Sequence, residues 1–270
     1  MLTRDPPIIT RGFASTPSGQ IHYAEAGQGR PVILLHQTPR SWDEYRDVLP
    51  LLGRHYRAIA MDTVGFGDSY RLAPPHSIAA YAHGVTELMD TLGIARASLV
   101  GHHTGGVIAV EVAAGSPHRV DRLVLSSTPW VGPEQREARK NRPPIDQVHP
   151  EEDGAHLLEL WRRRSAFYPQ GRLDLLTRFV IDALRVLDHV EEGHRAVGDY
   201  HMEERLPLVQ APTLVVSGTD DPFAFPHMQA LVDRLPGCRT AVIPGGMVPL
   251  PDQCPQEFAG VILKFLAGFD

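Results

Sequence analysis

Four short segments carry the side chains best suited to chemistry, and each follows a β-branched, apolar run. They are His36-Gln37-Thr38-Pro39, Asp62-Thr63-Val64-Gly65-Phe66-Gly67-Asp68-Ser69, Gly101-His102-His103-Thr104-Gly105-Gly106 and Gly218-Thr219-Asp220-Asp221-Pro222. Among these, His103 is the natural general acid or base, because imidazole titrates near neutrality without large tuning. The chain has 14 histidines, and His36, His102, His103 and Asp62 all fall at strand ends. No His-x-x-x-His or Cys-x-x-Cys spacing occurs, and neighbouring strand residues point to opposite faces, so no metal site is expected. No G-x-G-x-x-G follows the first parallel strand and no Walker sequence occurs, so no nucleotide cofactor is expected either.

The elements that must position these segments alternate. Strands are expected at Arg11–Ser15, Gln20–Ala26, Val32–His36, Tyr56–Asp62, Ser98–Gly101, Leu123–Ser127, Thr213–Ser217 and Thr240–Ile243. Helices are expected at Trp42–Leu52, Ile78–Leu92, Gly105–Ala114, Pro226–Leu235 and Pro255–Leu266. The first two strands are joined by a Thr16-Pro17-Ser18-Gly19 turn. After them, strand–helix alternation predicts right-handed crossovers and a mostly parallel sheet with helices on both faces. The alternation breaks once, between Ser127 and Leu206. There a charged, proline-rich run (Glu134–Glu152) precedes helical patterns at Gly154–Phe167, Leu173–Leu187 and His189–Tyr200. This reads as a helical cap, residues 129–205, inserted after the sixth strand into a core of residues 1–128 and 206–270. Such an insertion lies over the carboxyl ends of the strands, where open α/β sheets bind ligands.

Composition excludes several classes. Hydrophobic residues make up 43% and charged residues 21% of the 270, the balance of a globular chain. The formal charge of −6 without a basic cluster argues against nucleic acid. The apolar stretch around Gly105–Gly115 is interrupted by Glu111 and too short to span a bilayer, so no membrane partner is expected. The segment Met1–Pro7 has no signal-peptide core, and Cys238 and Cys254 form no disulfide framework, so a cytoplasmic location is expected. A homodimer is only the background expectation for oligomeric state.

The order and spacing of the four segments resemble the α/β-hydrolase fold over almost the whole chain, in the style of capped esterases, epoxide hydrolases and haloalkane dehalogenases. That family's elbow is G-x-S-x-G. Gly101, Gly105 and Gly106 keep its glycines, but His103 stands at the nucleophile position. The family's triad histidine belongs in a G-H-x-P-like segment after the last strand. Here the segment is Gly245-Gly246-Met247-Val248-Pro249, which puts Met247 in the histidine slot, and no histidine follows His227. Only the acid, Asp221, is retained. A serine-esterase mechanism therefore lacks two of three members, and dehalogenase or epoxide hydrolase chemistry lacks its elbow carboxylate.

The resemblance further implies an oxyanion hole from the main-chain N–H groups of Thr38 and Thr104. It makes His36 a brace of its own loop, and Asp62 and Ser69 scaffold for the elbow. An imidazole at the elbow reaches about 3 Å farther than a hydroxyl, into the space of the missing histidine. His103 is thus expected to meet Asp221 directly or through one water, with Met247 filling what remains. The pocket is expected to draw on His36, Gln37, His102, Trp42, Trp130 and Met247, with Trp161, Phe167, Phe223 and Phe225 as further aromatic candidates. The implied function is a cofactor-free enzyme acting on a small, largely apolar carbonyl compound. Hydrolysis, or a lyase, decarboxylase or cyclase reaction, all fit. The alternative is a non-catalytic small-molecule binding protein on the same fold.

Overall fold

The computed structural model describes residues 7–140 and 142–268; most of the Met1–Pro7 segment read for a signal peptide lies outside them. Eight strands form one sheet: β1 (Thr10–Ser15), β2 (Gln20–Ala26), β3 (Pro31–Leu35), β4 (Arg57–Met61), β5 (Ala97–His102), β6 (Val120–Ser126), β7 (Thr213–Gly218) and β8 (Arg239–Ile243). Their order is β1-β2-β4-β3-β5-β6-β7-β8. The pairs β1/β2 and β2/β4 are antiparallel and all others parallel. β5 and β7 are buried along their whole length, as central strands covered on both faces must be.

The helices are α1 (Leu49–Leu52), α2 (Ile78–Thr91), α3 (Thr104–Gly115), α4 (Pro133–Arg139), α5 (Ala155–Ser165), α6 (Leu173–Leu184), α7 (Glu192–Gly198), α8 (Met202–Arg205), α9 (Met228–Val232), α10 (Leu250–Gln253) and α11 (Pro255–Ala267). Two apolar layers sandwich the sheet. One holds α2 and α3 against Ile33, Leu99 and Leu125; the other holds α1 and α11 against Leu34, Val100 and Val124. α3 runs through the middle with ten of its twelve residues buried, which suits its Val107-Ile108-Ala109-Val110 sequence. Among the described residues no helix is long and apolar enough to cross a membrane.

All eight expected strands form, Gln20–Ala26 with the expected ends and the others with ends shifted by at most three residues. Helices differ more, and proline is the main reason. The expected Trp42–Leu52 helix is a 3₁₀ turn, Trp42–Tyr45, followed by α1. Pro50 has no N–H and its ring would clash with a preceding helical carbonyl, so it is admitted only in a first turn. The expected Pro226–Leu235 helix is a 3₁₀ turn, Phe225–His227, followed by α9. In the charged run after residue 132, Pro133 starts α4, a helix the sequence reading did not expect.

Between β6 and β7 the described residues form α4 to α8 and no strand. Their own apolar cluster joins Leu160, Tyr168, Leu175 and Phe179. This segment seats on the loop after β3. Ser41 Oγ donates to Asp182 Oδ1 at 2.9 Å, and Arg178 Nε to Asp43 Oδ2 at 2.5 Å. Gly193 lies so close to Thr38 that a Cβ there would overlap its hydroxyl.

Candidate active site

β5 ends at His102 and α3 begins at Thr104, so His103 takes the whole reversal, at φ 48° and ψ −115°. That left-handed conformation is costly for a residue with a Cβ, and its persistence points to a functional constraint. The flanking glycines allow it. A Cβ on Gly101 would meet the Gly105 carbonyl, one on Gly105 the Leu35 carbonyl, and one on Gly106 the Thr128 side chain.

From this turn the His103 ring reaches the loop after β7, where Nε2 lies 2.7 Å from Asp221 Oδ2. The other oxygen, Oδ1, accepts from the main-chain N–H groups of Phe223 (2.9 Å) and Ala224 (3.1 Å). Burial raises the Asp221 pKa, but His103, His102 and the Phe223 N–H outweigh it and hold the carboxyl at about 2. An ionised Asp221 accepts, so Nε2 carries the proton and Nδ1 the lone pair. Nδ1 has no hydrogen-bond partner among the described residues, and the ring lines a cavity of about 390 Å³.

Gln37, Thr38 and Thr104 line the same cavity. Gln37 is fixed by Glu44, whose carboxyl accepts from the Gln37 N–H (2.9 Å) and side-chain amide (2.6 Å). Thr38 Oγ1 and Thr104 Oγ1 are 3.0 Å apart. Thr104 is the first residue of α3, so its N–H is one that a helix leaves without an internal acceptor.

Five residues expected in the pocket do not line it. His36 is fully buried: Nε2 accepts from the Thr63 N–H at 2.9 Å, and Nδ1 bonds the Gln37 carbonyl at 2.7 Å, which makes it a loop brace. His102 is also fully buried, bonding the Val248 carbonyl through Nε2 at 2.8 Å and Ser126 Oγ through Nδ1 at 2.9 Å. It tethers the loop after β8 to the elbow. Trp42 packs in the layer with α1 and α11, between Arg11 and Arg46. Trp130 is 6% exposed, with Arg234 over its ring. Met247 is half-buried, and the next residue, Val248, faces the cavity in its stead. Of the remaining aromatic candidates only Phe223 lines it, with Phe167 packed behind at 4.8 Å. Asp62 is scaffold, accepting from Trp42 N, Asp68 N and His22 Nδ1.

The opposite wall belongs to the segment after β6 and carries charge. Arg136, Arg139, Lys140, Arg142, Arg164 and Arg195 line it, against the carboxylates Glu191 and Asp199. The basic residues at 136–142 were visible in the sequence, but nothing there shows that they turn toward His103.

His102 has a consequence for stability. Burial, and after it the charge of His103, lowers its pKa to about 3, and burial lowers that of His36 in the same direction. The unfolded chain binds protons at these rings below the ordinary value near 6.5, whereas the folded chain does not. Stability therefore falls as pH drops from about 6.5 toward 3, by about 1.4 kcal/mol per unit for His102 alone. Thermal melts from pH 7 to 4.5 should show this loss, with a shallower slope in His102→Gln. A flat profile over that range contradicts it.

The α/β-hydrolase-fold family profile matches residues 30–144. A soluble epoxide hydrolase from Corynebacterium sp. strain C12 is 36% identical over 117 residues, which cover 43% of this chain and 41% of that protein. A putative carbamate hydrolase from Caulobacter sp. strain K31 is 26% identical over 92% of this chain and 95% of its own length. A hydrolase of Pseudomonas aeruginosa superposes with a TM-score of 0.79 at 24% identity, over 96% of this chain and 98% of that one. The chain has the α/β-hydrolase fold, and the proteins named here that it resembles are hydrolases by name.

Proposed function

We propose that this protein is a cofactor-free enzyme in which His103 and Asp221 form a catalytic dyad acting on a small carbonyl compound. The observation that carries the reading is the 2.7 Å contact of Nε2 with Asp221, which leaves Nδ1 as the basic nitrogen of a cavity-lining ring. In the hydrolytic form, Nδ1 takes a proton from water and the hydroxide adds to the carbonyl carbon. The oxyanion accepts from the main-chain N–H groups of Thr104 and Thr38, donors of a kind worth about 3 kcal/mol each. Collapse expels the leaving group, which recovers the proton from the imidazolium. Asp221 fixes the ring's tautomer and stabilises its charged form, as a triad aspartate does. The same base can remove a proton beside a carbonyl, the entry to lyase, decarboxylase or cyclase chemistry. The hydrolase relatives support the first branch. Two free cysteines agree with a cytoplasmic setting.

The elbow offers no serine hydroxyl, and this gives the test. Turnover of an ester and lactone panel should resist a fluorophosphonate that inactivates serine esterases, and no probe mass should map to the 101–106 peptide. Stoichiometric labelling there, with loss of turnover, would return the protein to covalent catalysis and overturn the dyad.

A further inference from the structure

Most cations facing the cavity are neutralised by the protein itself. Arg136 pairs with Glu203, Lys140 with Glu137, Arg195 with Glu192, and Arg164 with Asp146. Arg139 and Arg142 differ: among the described residues neither side chain has a hydrogen bond or carboxylate partner. Glu191 pairs with neither of them; its Oε1 accepts from the Asp146 and Gln147 main-chain N–H groups. Asp199, the other lining carboxylate, is exposed and pairs with neither.

Arg139 is also half-buried. Burial, and then the charge of Arg142, lowers its pKa, with no carboxylate acting against them. Arg142 is exposed at the rim of the same cavity, so it is Arg139, a half-buried guanidinium with no carboxylate beside it, that costs stability unless something bound offsets it. A cation cannot be that group, and a neutral apolar ligand would leave the charges as they are. A planar oxyanion fits, because each guanidinium presents a fork of donors matched to two oxygens. Asp146, Glu191 and His194 also approach one another at this wall, but Arg164 occupies the Asp146 oxygens, so that trio is already satisfied.

We propose that the cavity takes substrates bearing an anionic oxyanion group, a carboxylate foremost, which docks on Arg139 and Arg142 while the reacting carbonyl faces His103. The placement of that carbonyl rests on the dyad reading, whereas the anion site does not. Arg139 and Arg142 are then specificity determinants supplied by the segment that covers the elbow. They select acids, half-esters or acidic lactones over neutral esters.

Calorimetric titration tests this with dimethyl glutarate, monomethyl glutarate, glutarate and inorganic phosphate, against the wild type and His103→Gln. The monoester and glutarate should bind at least about tenfold more tightly than the neutral diester. Arg139→Met should erase that difference, Arg142→Met reduce it, and Arg139→Lys keep part of it. Without ligand, Arg139→Met should melt no lower than the wild type, which separates a ligand-binding role from a structural one. Phosphate binding that exceeds glutarate and is lost in Arg139→Met supports the site and assigns it a phosphoryl group. Equal binding of mono- and diester, no binding of any anion, or unchanged affinity in Arg139→Met overturns the proposal. If anions bind as expected but nothing is turned over, the dyad reading falls and the anion site stands. If turnover proceeds without charge selectivity, the reverse holds.

Discussion

His103→Gln lowers kcat by about a thousandfold on whatever ester or lactone the wild type turns over, while substrate affinity changes little. Glutamine keeps an N–H that can reach Asp221, so the carboxylate at the base of the cavity is not left without a donor. What it lacks is a lone pair able to take a proton at neutral pH. General acid–base catalysis by a positioned side chain contributes about 10² to 10⁴ in rate, and the loss should fall in that range. Asp221→Asn should cost a similar factor by another route. An asparagine can donate to Nε2, which favours the tautomer with its proton on Nδ1 and removes the base from the cavity side. Melting curves keep the outcome clear, since both variants should fold. If the glutamine variant retains full turnover, His103 is not the base. If the wild type binds small acids yet turns over nothing, the protein is a binding module on a hydrolase fold.

The parts of this site that were legible in the sequence are those set by local backbone. Gly101, Gly105 and Gly106 announce a turn in which two main chains approach closely, and the structure shows the carbonyls that forbid a Cβ there. The strands were legible because β-branched runs between turn residues have few alternatives. What stayed hidden depends on long-range packing. The stretch from Arg136 to Arg142 reads as a solvated charged surface until its helix is set across a cavity from an elbow some 35 residues earlier in the chain. Trp42 and Trp130 looked like pocket residues by type, yet each was claimed by an apolar layer, the commoner fate of a large ring. Met247 and Val248 show how a one-residue difference in loop placement decides which side chain faces the site. Arg40 is the clearest omission. Nothing in Thr38-Pro39-Arg40-Ser41 reveals that its guanidinium is completely buried.

Arg40→Met should be among the most destabilising single changes in this chain, at about 3–5 kcal/mol. Arg40 Nε lies 2.8 Å from Asp182 Oδ2 in α6, Nη1 lies 2.6 Å from Asp252 Oδ2 in α10, and Nη2 lies 3.4 Å from Asp43 Oδ2. One side chain thus ties together the loop that bears Thr38, the segment after β6 and the last helical region. Methionine fills much of the volume but leaves these carboxylates short of a cation: Asp43 keeps Arg46 and Arg178, Asp252 keeps Arg178, and Asp182 loses its ion-pair partner. At about 2–4 °C per kcal/mol for a chain of this size, the melting temperature should fall by roughly 6–20 °C. The pH dependence identifies the cause. Burial already raises the Asp252 pKa, and Arg40 is the strongest influence against it, so removing Arg40 raises it further. A carboxyl with a raised folded-state pKa binds its proton more readily folded than unfolded. Its penalty therefore grows as pH rises from about 4 through the folded-state value, and acid relieves it. The gap in melting temperature between wild type and Arg40→Met should be widest near pH 7.5 and narrow by pH 5. The acid sensitivity from His102 is common to both proteins and cancels in that difference; that from His36 weakens in the variant, because Arg40 helps to lower its pKa, and this too narrows the gap in acid. A variant that melts within about 3 °C of the wild type at pH 7.5 shows that the network contributes little to stability. A gap that widens in acid shows that uncompensated carboxylates are not the reason for the loss.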